Sequence, residues 1–303
     1  MPVTNTMELD RPRGGNSERR TLVPGEFLLT SDDFQQIAAM LHADAGIYLP
    51  ESKATLVYSR LAKRVRALGL ENFRDYCALV GSSDGIGERQ RMLAALTTNV
   101  THFFREPHHF EHLKRQVLPP LLDAASRGAR IRIWSAGCSS GQEPFSIALT
   151  IISLMPNAAS HDVKVLATDI DPYVVERGRQ ATYSDAALAG VPVDLRNRHF
   201  VHTRGNGENV WAATDGLRKL VAFRELNLNG PWPMKGPFQA IFCRNVVIYF
   251  DERTQQNIWS RFAPLLTPGG WLYVGHSERV SGPAASMFSS DGITTYRFRE
   301  GAT

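Results

Sequence analysis

The stretch Ile133-Trp134-Ser135-Ala136-Gly137-Cys138-Ser139-Ser140-Gly141-Gln142-Glu143-Pro144 decides the fold. A short apolar strand over 131–134 runs into a loop of small residues and then into a helix over 144–154. Only small residues let a ligand come so close to the backbone. The free amides at the start of the new helix suit an anionic or polar group. Two common phosphate motifs are excluded: GxGxxG is absent because three residues separate Gly137 from Gly141, and no Gly-Lys-Ser/Thr follows as in a P-loop. Such a unit without a pyrophosphate fingerprint favours a nucleoside lacking phosphates.

Outward from it, 163–167 reads as a second strand ending in Ala167-Thr168-Asp169-Ile170-Asp171, with a helix over 172–180. Further strands are expected at 220–223, 238–243, 270–274 and 293–298. This alternation argues for a Rossmann-like parallel α/β sheet that takes its ligand at the carboxyl ends of the strands. An acid ending the second strand is where such folds hold ribose hydroxyls. Asp169 would accept two hydrogen bonds there and repel a phosphorylated ribose, and S-adenosylmethionine (SAM) fits both conditions. Asp171 stands where it would cap the helix begun at Pro172. Residues 183–218 break the alternation, and Gly205-Asn206-Gly207 between short strands marks a small antiparallel β insertion.

The N-terminal half is different. Residues 1–29 read as a polar, arginine-bearing disordered tail without the apolar core of a secretory signal. Residues 30–105 form an expected all-helical domain: Ser31 as N-cap, Phe34, Ile37 and Leu41 at helical spacing, and a second helix over 53–68 with Val57, Leu61, Val65 and Leu68 on one stripe. Residues 106–129 form a linker helix that Pro119-Pro120 should kink, and 130–303 the sheet domain. No apolar run approaches the ~18–20 residues that cross a bilayer. Three cysteines, Cys77, Cys138 and Cys243, lie far apart without a CxxC, which predicts a reduced cytoplasmic protein with neither disulfides nor a zinc site. His108 and His112 have metal-compatible spacing but lack a third ligand, so no metal is expected. A net charge of +4 with no recognised motif does not indicate nucleic acid.

Three further segments narrow the reading: Thr98-Asn99-Val100-Thr101-His102-Phe103-Phe104-Arg105-Glu106, Ile241-Phe242-Cys243-Arg244-Asn245-Val246-Val247-Ile248-Tyr249-Phe250 and Gly269-Gly270-Trp271-Leu272-Tyr273-Val274-Gly275-His276-Ser277-Glu278. With the glycine loop and the Asp169 segment, they resemble the CheR family, the chemotaxis-receptor protein-glutamate O-methyltransferases, over about residues 31–298. The resemblance implies methyl transfer from SAM to glutamate side chains of chemoreceptors, with S-adenosylhomocysteine as product. It implies cofactor contacts at Asn99, Thr101, Arg105, Gly137, Glu143, Asp169, Asn227, Leu228, Cys243 and Arg244. It also places Tyr249 near the transferred methyl, beside Arg105 and Arg244 as catalytic candidates. The family's usual acidic pair is Gln142-Glu143 here, so its first acid is missing.

The chemistry suits these residues. A glutamate carboxylate, with an ordinary pKa of about 4.3, is ionised at neutral pH and needs no general base. Anion and sulfonium give neutral products, so excluding water lowers the barrier. On this reading Arg105 fixes the methionine end of SAM, while Arg244 with Tyr249 orients the substrate carboxylate. The second helix carries Lys53, Arg60, Lys63 and Arg64 beside its apolar stripe, a face that would attract glutamate-rich receptor helices. The β insertion resembles the family's subdomain that in some members docks a receptor's C-terminal peptide. A non-catalytic SAM- or receptor-binding adaptor on the same scaffold is the alternative.

Overall fold

The computed structural model describes residues 20–205 and 208–299. Order begins earlier than the sequence suggests. Residues 1–19 of the expected tail lie outside the described residues, but β1 (Thr21–Val23) and β2 (Leu29–Thr30) pair antiparallel, and Phe27 and Leu29 are buried in the helical core. The tail reading of 20–29 is therefore corrected: two apolar residues in a polar stretch gain enough burial to fix it.

Helix α1 (Ser31–Ala45) starts one residue earlier than expected from its cap. Thr30, not Ser31, is the N-cap, in a capping box with Asp33. Helices α2 (Ala54–Ala67), α3 (Phe73–Gly81) and α4 (Ile86–Leu96) complete a domain whose core is built on Ile37, Val57, Leu61, Phe73 and Val80.

The basic face of α2 is largely used within this domain. Arg60 donates to the carbonyls of Ala95, Leu96 and Thr97 at the end of α4, and Arg64 forms a two-pronged pair with buried Glu88, which also accepts from the Tyr76 hydroxyl. The expectation that all four cations face a partner is thus corrected; Lys53 and Lys63 stay exposed. Position on the helical wheel was right, but a side chain beside the apolar stripe also reaches its neighbour. Arg64→Ala leaves buried Glu88 with only the longer contact to exposed Arg91 (3.6 Å), and we expect a loss of about 3 kcal/mol of stability by chemical denaturation.

The linker consists of α5 (Pro107–His112), a π-helical turn (Leu113–Val117) and α6 (Leu118–Ser126). The wide turn lets Leu118 N–H donate to Leu113 O and places Pro119 and Pro120 in the first turn of α6, where their missing N–H groups cost nothing.

The sheet domain follows: β3 (Ile131–Ala136), α7 (Gln142–Leu154), β4 (Val163–Asp169), α8 (Pro172–Gln180), β5 (Thr182–Tyr183), α9 (Val193–His199), β6 (Phe200–Gly205), β7 (Glu208–Ala213), α10 (Asp215–Arg218), β8 (Val221–Glu225), β9 (Phe238–Cys243), α11 (Glu252–Phe262), β10 (Leu266–Val274), β11 (Phe288–Ser290) and β12 (Thr295–Phe298). The main sheet has the order β11-β12-β10-β9-β3-β4-β8, parallel from β10 to β8 and antiparallel at β12 and β11. From β3 the chain moves out through β4 to β8, then returns to place β9 on the other side of β3. That reversal opens a crevice above the carboxyl ends of β3 and β9. β5, β7 and β6 form a separate sheet; Asn206 and Gly207 of the expected hairpin turn lie outside the described residues.

Candidate active site

The helical domain roofs the crevice. Ile47 bridges to Phe250, Tyr48 N–H donates to Tyr249 O (2.8 Å), and His42 pairs with Asp251 (2.8 Å). Asn227 Nδ2 donates to Asp44 O (2.5 Å). Between the domains lies a cleft of about 970 Å³, including its solvent-open part. Asn99, Thr101, Arg105, Gly137, Glu143, Asp169, Asn227, Leu228, Arg244 and Tyr249 all line it. Cys243 does not. It is fully buried in the core under α11, and burial pushes its thiol well above the ordinary range. The strand end turns between residues 243 and 244, so Arg244 enters the cleft and its neighbour stays in the core.

The glycine loop is shaped by packing as much as by a ligand. Gly137 has φ +83°, and a Cβ there would lie 2.3 Å from Val246 Cγ2. Only glycine lets the loops after β3 and β9 meet. The amides of Gly137 and Cys138 both donate to Thr168 O (2.7 and 2.8 Å), tying the loop to β4.

Asp169 ends β4 with its carboxylate held on both sides: Oδ2 accepts from Ser139 N–H (2.8 Å) and Oδ1 from Asp171 N–H (3.0 Å). Burial pushes its pKa up to about 6 against those two bonds. Asp171 caps α8 through Tyr173 N–H (2.9 Å) and also accepts from Asn99 Nδ2 (2.9 Å). Ser139 Oγ donates to Asn99 O (3.1 Å). The interdomain segment is thereby fastened to the sheet, and part of Asn99's polar capacity serves that purpose.

Arg244 is the centre of a buried charge cluster, its side chain 1% exposed. Nη1 donates to Glu143 Oε2 (3.0 Å), and Nη2 lies 3.2 Å from Glu106 Oε2 and donates to Arg105 O. Glu143 also accepts from Ser135 Oγ (2.7 Å). Burial raises the Glu143 pKa, with Arg244 opposing. Burial also acts to raise Glu106, but Arg244 and two hydrogen bonds from His276 outweigh it and hold that carboxyl at about 2. Arg244 Nε and Asn245 Nδ2 are buried without partners. Arg105 donates to Val100 O (3.1 Å), which leaves much of its guanidinium for an anion in the cleft.

Glu106, His108 and His109 bring ligand-type atoms within 4.8 Å of one another. Arg244 and His276 already engage both oxygens of Glu106, which leaves it few lone pairs for a metal ion. His112 bonds the Tyr273 hydroxyl (2.8 Å) and is not paired with His108.

Several cleft residues escape the sequence reading. Ala45 and Ile47 join Phe250, the last residue of a quoted motif, only through domain docking, and nothing local announces the two. Ser139 was visible only as a small loop residue. Glu106 and Glu278, which do not line the cleft but hold Arg244 and the 245–247 amides, stand at the ends of quoted motifs, where a charge beside a glycine turn or helix start is the available signal.

Comparison with known proteins places these features in context. The family described as "CheR methyltransferase, SAM binding domain" matches residues 99–297, and "CheR methyltransferase, all-alpha domain" matches residues 32–97. A probable chemotaxis protein methyltransferase of Rhizobium etli is 56% identical over 259 residues, covering 86% of this chain and 97% of that protein. Chemotaxis protein methyltransferase 2 of Pseudomonas aeruginosa is 42% identical over 278 residues (89% and 94%). The chemotaxis protein methyltransferase of Escherichia coli is 42% identical over 270 residues (88% and 91%).

Proposed function

Because this chain belongs to the CheR methyltransferase family, we propose that it esterifies glutamate side chains of chemoreceptors with the methyl group of SAM. One observation supports this most directly. Segment 97–105 and the turns after β3, β4, β8 and β9 converge on one cleft, where a carboxylate pre-set by two backbone amides stands at the end of β4. The donor set fits the cofactor: Asp169 offers lone pairs to ribose hydroxyls, Leu228 an apolar wall for adenine, and Arg105 a cation for the amino-acid carboxylate. When bound, SAM supplies a methyl group on a positively charged sulfur.

The chain's own residues do the rest. Glu106 and Glu143 share the single charge of Arg244, so this buried cluster is net negative and suits a sulfonium. The charge pairs also revise the division of labour expected from sequence. Both terminal nitrogens of Arg244 are engaged by protein, so we assign it to positioning Glu143 and leave the substrate carboxylate to Tyr249 at the rim. A strong cationic contact to the attacking oxygen would stabilise the ground state more than the transition state. The helical domain's cover over the cleft restricts water near the reacting charges.

We further infer that the partner is the receptor's cytoplasmic methylation helices, met by exposed Lys53 and Lys63 and by the apolar rim of Tyr48, Val100 and Ile248. Lys53→Glu with Lys63→Glu is expected to raise KM for receptor severalfold and flatten its salt dependence, with Tm unchanged. β6 forms the outer edge of its three-stranded sheet, where a receptor C-terminal peptide would add as a strand. No helix among the described residues is long and apolar enough to cross a membrane, and work at the cytoplasmic face of receptor arrays is part of this reading. The test is transfer of radiolabel from SAM to purified receptors as base-labile esters. Binding of S-adenosylhomocysteine without transfer would favour the adaptor instead.

A further inference from the structure

Residues 244–249 must hold a difficult course. Asn245 has φ +60° and Val246 turns back into the right-handed region, after which 247–249 form a short 3₁₀ turn. Alternating left- and right-handed residues aim successive N–H groups into one concavity, an arrangement that binds anions. Here the anion is part of the chain. Glu278, 6% exposed, accepts Val246 N–H (2.8 Å) and Val247 N–H (2.9 Å) at Oε1. At Oε2 it accepts Asn245 N–H (2.8 Å) and Gly275 N–H (2.6 Å). Four amides thus converge on one carboxylate that makes no ion pair with Arg244 or any other cation among the described residues. A second observation agrees: a Cβ on Gly275 would lie 2.5 Å from Asn245 Nδ2 and 2.8 Å from Glu278 Oε2, so the approach of the two loops is as tight as glycine allows.

We propose that Glu278 is a positioning residue for methyl transfer, its carboxylate filling an amide nest so that the segment bearing Arg244 and Tyr249 is fixed against the cleft. The segment is otherwise held by contacts that the nest itself orients: Val246 against Gly137, Arg244 on Glu143, and Tyr249 O on Tyr48 N–H. Without the carboxylate, three consecutive amides lose their acceptor and Asn245 loses its reason to stay left-handed. The kinetic part of this inference rests on the methyltransferase reading above; the thermal part does not.

Glu278→Ala empties the nest, and a misplacement of the catalytic segment by about 1 Å should lower kcat for receptor methylation by about 100-fold. Sodium formate, titrated with ionic strength held by sodium chloride, should refill the nest. It is expected to restore part of kcat and to raise the Tm of E278A while leaving the wild type unmoved. Glu278→Gln keeps the shape but turns an NH2 group toward one amide pair; we expect about a tenfold lower kcat, with the fold intact and no response to formate. Wild-type kcat in either variant, or the same Tm response to formate in E278A and wild type, overturns the proposal. If E278A does not fold, E278Q decides by its kcat. If the wild type transfers no label at all, the methyltransferase reading fails, and the formate-dependent Tm of E278A still judges the nest.

Discussion

Asp169→Asn is expected to weaken binding of S-adenosylhomocysteine by about 100-fold, the equivalent of two hydrogen bonds to a charged acceptor. The reason lies in how the carboxylate is prepared. Ser139 and Asp171 amides fix its orientation before any ligand arrives, and its remaining lone pairs face the cleft. Asparagine presents a single oxygen, so one of those amides must face its NH2 group.

Stability should change far less. Burial raises the Asp169 pKa from 3.8 to about 6. A carboxyl raised on folding stabilises the native state below its unfolded pKa, and that contribution is lost as pH rises through the folded value. At pH 8 the free protein therefore carries a destabilising ionised Asp169; asparagine removes that cost but sets its NH2 against one amide, so the variant should melt close to the wild type. The same shift predicts that wild-type affinity for S-adenosylhomocysteine falls as pH drops through about 6, where the acceptor becomes protonated, while the variant is flat over that range. Calorimetry across pH with parallel melting curves checks both. A variant that binds like the wild type would remove Asp169 from the site.

Arg244→Ala should be the most destabilising change in the cleft, at about 3–5 kcal/mol, because it strands two buried carboxylates. Glu143 and Glu106 both lean on this guanidinium, and Glu143 is already pushed up by burial. Without Arg244 the Glu106 carboxyl loses the main cation that holds it low and Glu143 is pushed up further, so the deficit should grow with increasing pH and shrink toward acid. Affinity for S-adenosylhomocysteine should fall along with activity, since Glu143 loses its fixed orientation. Adding Glu143→Gln should cost less in the Arg244→Ala background than in the wild type, because the two residues share one interaction. Denaturation and calorimetry on the four proteins of this cycle provide the measurement. Unchanged stability and cofactor affinity, with only the receptor KM raised, would return Arg244 to substrate orientation.

The legible and illegible parts of the cleft divide along a physical line. Gly137, Glu143 and Asp169 lie at or within a few residues of strand ends, where chain direction and turn chemistry alone determine what faces the cleft. Cys243 failed because one residue at a strand end separates core from cleft, and only the backbone turn decides which is which. Arg60 and Arg64 failed for another reason. Their wheel positions were readable, but their acceptors sit on α4 and its far end, some 24 to 37 residues away. Part of 20–29 was misjudged because two apolar residues carry little periodic signal, yet they find a finished helical core to pack against.

By itself the sequence determined the two-part chain, the parallel sheet with its ligand end, and the motifs that identify the family, since these depend on periodicity and local turn chemistry. Tertiary structure alone decided which charges are free. Arginine and glutamate look alike at every position in a sequence, but whether they recognise a partner or hold the protein together depends on what burial and distance leave unpaired.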